Sequence, residues 1–202
     1  YKATAETLSG QARAEGLDAI YNLVVNKEER IPDIGTFGAA PQKLGGAWII
    51  QGQEFHSSYW GHLGLLDLHD HFLTPDFAAY KGTAMASAWP DNGEVARLAH
   101  EQGALVGYAH PFDLPVDPDK DASLSNEFPA DVAMGRVDYY ELVGFSDHRA
   151  SAEVWYRLLN LGYRIPAGAG TDAMTNYASL RGPVGVARVL LDTQGEATPE
   201  SL

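Results

Sequence analysis

Short apolar runs that lead into histidine or acid constrain this chain more than any other feature. Trp48-Ile49-Ile50 leads to Gln53-Glu54-Phe55-His56, and Leu105-Val106-Gly107-Tyr108 leads to Ala109-His110-Pro111. Trp60-Gly61-His62 and Ala169-Gly170-Thr171-Asp172 make two more such segments. Apolar runs of this length, bounded by turn residues, read as buried strands. Predicted strands cover Leu17 to Val25, Ala47 to Ile50, His62 to Leu68, Ala104 to Tyr108, Tyr139 to Val143, Arg164 to Gly168 and Val184 to Leu191.

Helical patterns fall between them. Ala3 to Glu15 reads as a helix that Gly16 stops. Asn92 to Gln102 is amphipathic, with Asn92 as its cap, Val95, Leu98 and Ala99 on one face, and Gly103 as its end. Ala150 to Leu161 turns Val154, Trp155, Leu158 and Leu159 inward and stops at Gly162. Asp113 to Pro129, rich in Pro and Asp, reads as a long surface loop. The alternation predicts an α/β fold with a mostly parallel sheet and barrel-like closure, in one domain spanning residues 1–202.

In an α/β barrel, side chains at the exits of successive strands converge on one rim. Glu54 there is suited to bridging cations, and the imidazoles of His62 and His110 suit Zn, Mn or Fe. Asp172 follows small residues that allow close backbone approach, and serves equally as a helix cap. A lone histidine at a strand end commonly does no more than satisfy a carbonyl; four such positions together favour a metal site. His56, two residues beyond Glu54, is a candidate ligand or proton donor, and His148, beyond Tyr139 to Val143, a candidate catalytic residue at the rim. Asp113 is placed to orient an imidazole, and Lys27 and Arg181 to receive an anionic substrate.

Other classes are disfavoured. The net charge of -13, from 27 acids against 14 bases, opposes nucleic-acid binding. There is no cysteine, which excludes disulfides and thiolate zinc sites and suits the cytoplasm, the periplasm or a secreted setting. No apolar run approaches the ~20 residues of a membrane span, and no signal peptide is visible. Neither a phosphate-binding glycine loop nor a Gly-X-Ser-X-Gly elbow occurs.

Gly52-Gln53-Glu54, Gly61-His62, Ala109-His110-Pro111 and Gly170-Thr171-Asp172-Ala173 come in the order of the PHP (polymerase and histidinol phosphatase) superfamily. The chain resembles that superfamily from roughly residue 12 to 191, and residues 154–172 resemble its carbaryl-hydrolase-like branch. The resemblance implies a distorted (β/α)7 TIM-like barrel of PHP type that uses a metal-activated water to hydrolyse a phosphate, carbamate or carboxylic ester. Carried over, Glu54 bridges metals and His62, His110 and Asp172 are ligands. The family's opening His-X-His strand has no match, and would fall just before Tyr1, as in a processed or partial chain lacking its first strand. Val24 and Val25 stand where the family has Asp and His, and Met174 where it has His. One or two divalent ions are therefore expected instead of three. A sheet edge left open in this way predicts marginal stability or pairing with a partner chain, a homo-oligomer being one form of it. The alternative expectation is a catalytically degenerate barrel that binds a small ligand without metal.

Overall fold

The computed structural model describes residues 4–25, 34–57, 59–74, 88–112, 117, 119–120, 125, 127–174 and 181–202. Helix α1 (Ala5–Glu15) begins at Thr4, whose side chain accepts the Thr7 N–H, and ends at Gly16, left-handed at φ +66°. It leads into β1 (Ala19–Val25). Strands β2 (Gln42–Leu44), β3 (Ala47–Ser57) and β4 (Gly61–Leu66) follow, then α2 (Asn92–His100), β5 (Leu105–Tyr108), α3 (Phe128–Ala133), β6 (Tyr139–Gly144), α4 (His148–Asn160) and β7 (Ala167–Gly170). The strands form one sheet in the order β1-β3-β4-β5-β6-β7, with β2 also paired to β3.

The sheet is mixed, which corrects the expectation of a mostly parallel one. Strands β1, β3, β5, β6 and β7 share one direction, while β2 and β4 are reversed. The reason is connection length. A parallel return needs a crossover of about a dozen residues; the few residues between Ser57 and Gly61 permit only a hairpin. The reversal has a consequence for function: the start of β4 lies on the same rim as the ends of the five co-directional strands.

The sheet curls as a half-barrel. The chain beyond β7 returns to the opposite edge, where Val184 packs with Leu8, Ala12 and Ile20, and Ala173 lies against the same cluster. Arg188 Nη1 donates to the Glu15 carbonyl at 2.7 Å. The larger core lies between the sheet and helices α2, α3 and α4. Phe55, Leu63, Leu65, Val106 and Tyr140 of the strands meet Val95, Val132 and Leu158 of the helices there. Phe128 stacks on Tyr140 with centroids 4.5 Å apart. Each large side chain so buried contributes about 1.5–3 kcal/mol.

Four local expectations are corrected. The cap of α2 is Asp91, which accepts the Glu94 N–H; Asn92 lies inside the helix, its amide committed to the Gly61 carbonyl and Tyr108 Oη. Helix α3 begins within the expected loop, with Pro129 in its first turn where no N–H is needed. Strand β7 starts after Pro166, which has no N–H for the ladder, so the strand is Ala167–Gly170 and not Arg164 to Gly168. Val184 to Leu191 forms no strand: Gly185 turns at φ +84°, and Val186, Val189, Leu190 and Leu191 are exposed.

Candidate metal centre

Alternation along the β3–β4 hairpin decides what faces the concavity. Register pairs Glu54 with Gly64 and His56 with His62. Phe55, Leu63 and Leu65 turn to the core, so their neighbours Glu54, His56, His62 and Gly64 share the other face. Glu54 and His56 thus lie within β3, where the sequence had suggested a position past the strand's exit. The antiparallel partner extends the strand beyond its apolar segment. The rings of His56 and His62 lie 3.6 Å apart, tilted by 32°, a cross-strand pair.

Tyr139 fills the concavity below. Its Oη donates to the Gly64 carbonyl at 3.1 Å, and a Cβ at Gly64, Gly107 or Gly168 would run into its side chain. Three strands carry glycine at these points because a tyrosine occupies the space in front of them.

The centre is a triangle of donor atoms. Glu54 Oε1 lies 3.2 Å from His110 Nε2 and 3.3 Å from His62 Nδ1, and the two nitrogens are 3.2 Å apart. All three residues are buried. Hydrogen bonds account for the two contacts to the carboxylate but not for the third, which sets two imidazole N–H groups against each other. One shared cation satisfies all three lone pairs. Donors at ~2.0–2.1 Å from a tetrahedral ion stand about 3.3 Å apart, so the spacing fits. Among the described residues this is the group of histidine and acidic side chains close enough to hold one ion. Burial pushes the Glu54 carboxyl up, but hydrogen bonds from His110 and His62 outweigh it and hold the group well below the usual carboxylate range. It is therefore an anion ready for a cation.

Asp172 stands at the margin, its Oδ2 3.9 Å from His110 Nε2. Arg181 Nη1 lies 2.6 Å from the same oxygen, and its guanidinium covers the Phe145 ring at 4.7 Å. His110 at φ +28° and Asp172 at φ +52° both adopt left-handed backbone without being glycine. Such strain persists where surrounding structure fixes it, often at functional sites.

Glu141 went unnoticed in the sequence. It is buried, its Oε2 accepts the His110 backbone N–H at 2.8 Å, and burial pushes its carboxyl up to about 7. A signal existed: Glu141 interrupts an apolar strand in phase with Tyr139, two residues before it. His148 opens α4, is exposed, and its Nε2–H donates to the Gly144 carbonyl at 3.0 Å. Lys27 and Asp113 lie outside the described residues.

No family model matches the chain. No curated protein matches it either. Its path is similar to that of a solved two-domain protein from Bacteroides vulgatus described as containing a predicted PHP-like metal-dependent phosphoesterase. The identity is 18%, the TM-score 0.48, and the match covers 80% of this chain and 46% of that one. The chain thus spans less than half the length of that protein. Likeness this distant says nothing of chemistry.

Proposed function

We propose that this protein is a metal-dependent hydrolase of a phosphate, carbamate or carboxylic ester. The carrying observation is the buried convergence of Glu54 Oε1, His62 Nδ1 and His110 Nε2. The order of motifs shared with the PHP superfamily supports it, as does the curled sheet, which suits a distorted (β/α)7 barrel. Glu54, His62 and His110 hold one divalent ion, with nitrogen and carboxylate donors that fit Zn, Mn or Fe. Asp172, with Oδ2 3.9 Å from His110 Nε2, is the candidate acid for a second.

An ion in such a site supplies Lewis-acid polarisation of the scissile group and an activated water near neutral pH. The protein's own groups do the rest. His56, stacked on His62, is the favoured proton carrier. His148, exposed and tied to Gly144, is the alternative. Arg181, beside Asp172 at the margin, meets the anionic part of a substrate by exchanging its partner. The substrate in this reading is a small ester, and the net charge of -13 opposes a nucleic-acid one.

Elemental analysis of protein purified without chelator tests this directly. About one or more equivalents of a transition metal are expected, lost in the Glu54→Ala, His110→Ala double variant, with hydrolysis of an aryl ester or phosphate ester panel lost alongside. Wild-type protein that binds no added Zn or Mn would overturn the hydrolase and leave the concavity as a pocket for a ligand taken without metal.

A further inference from the structure

Glu141 joins three parts of the structure that the strand ladder alone leaves loosely related. It sits on β6, where the register to β7 shifts between Glu141 and Val143. Its Oε2 accepts the N–H of His110, beyond the end of β5. Its Oε1 occupies the space that a Cβ at Gly170 would need, two residues before Asp172. The carboxylate therefore lies between the strand ends that present His110 and Asp172.

His110 needs such a tether. Its φ of +28° is unfavourable for a residue with a Cβ, and relaxation to an ordinary φ would swing the imidazole away from Glu54 and His62. A buried carboxyl oxygen accepting the backbone N–H at 2.8 Å opposes that relaxation with a hydrogen bond shielded from water. Burying the Glu141 carboxyl carries a desolvation cost that an apolar side chain in its place would not.

We propose that Glu141 is a positioning residue: it fixes the strained backbone of His110 so that Nε2 points into the Glu54–His62–His110 triangle, and thereby sets metal affinity without ligating the ion. The inference rests on the metal-site reading above. Glycine at position 170 is part of the same device, because only a residue without Cβ leaves room for the carboxylate.

The test compares wild type with Glu141→Gln, Glu141→Ala and Glu141→Asp. Two quantities are measured: the amide proton shift of His110 in metal-free protein, and Zn2+ affinity by competition with a chromophoric chelator. Gln keeps an acceptor at the same reach; Ala has none, and Asp keeps the charge but is one methylene short. Gln is expected to retain the His110 shift and bind Zn2+ within a few-fold of wild type. Ala and Asp are expected to lose the downfield shift and bind about 10–100-fold more weakly, the usual range for groups that orient a ligand. Unchanged affinity in Ala, or in Asp should Ala fail to fold, would overturn the proposal. Gln as weak as Ala despite a retained shift would also overturn it, making Glu141 a ligand. A retained amide shift in Ala would show that no tether exists. Wild type that binds no Zn2+ would remove the metal-site reading itself, whereas a wild type that binds alongside an unaffected Ala variant removes only the tether.

Discussion

His56 and His62 face one another across the β3–β4 hairpin with ring centroids 3.6 Å apart, one ring belonging to the Glu54–His62–His110 triangle and the other outside it. This pairing separates support from proton transfer. Phe at position 56 keeps an aromatic ring against His62 but carries no proton. His56→Phe is expected to keep metal content and to lower kcat by about 10²–10⁴-fold, the usual contribution of a general acid or base. Metal analysis beside ester hydrolysis checks it. An unchanged kcat would transfer the role to His148, and His148→Ala would then carry the loss.

Behind the sheet, Asp131 accepts from Tyr108 Oη at 2.6 Å, and burial pushes its carboxyl up to about 6. The unfolded value is 3.8. The folded protein thus holds this proton where the unfolded chain has released it. Stability from this group is greatest below pH 3.8, falls as pH rises to about 6, and is level above that. The full difference is at most about 3 kcal/mol. Asp131→Asn keeps an acceptor for Tyr108 and removes the titration. Its denaturation midpoint should be flatter than wild type between pH 4 and pH 6 and higher above it, read by urea melts across pH.

Tyr139 and the glycines in front of it form a tight fit. Gly107→Ala is expected to cost about 1–3 kcal/mol by overpacking. In a Tyr139→Ala background the same change should cost far less, because the ring it strikes is gone. A double-mutant cycle from thermal melts gives the coupling. Costs that simply add would place the strain elsewhere.

Asp147 caps α4 by accepting the Arg149 and Ala150 N–H groups at 2.9 and 3.1 Å. Asp147→Ala should lower stability by about 0.5–2 kcal/mol, measurable in a urea melt. Metal content should stay unchanged, since the triangle lies on β3, β4 and the end of β5.

Much of the site was legible along the chain. Glu54, His62 and His110 each stood beside an apolar strand, and the triangle joins all three. Met174 and the buried Val24 offer no hard donor, as the sequence already implied. Glu141 was not legible in the same way, because its hydrogen bond reaches the N–H of His110, beyond the end of neighbouring strand β5.

The sequence by itself determined the elements: apolar period and glycine stops define α1, α2, α4 and most strands, since these signals act over a few residues. It also determined which residue types were available to hold a cation. The short connection from Ser57 to Gly61 forces the reversal of β4, but only the tertiary structure showed how far β3 runs, and with it the facing of His56 and His62. It also decided the approach of His110 to Glu54 across 56 positions of sequence and the placement of Glu141 behind them. Strand order, register and curl are set by non-local packing, to which a pattern read one segment at a time is blind.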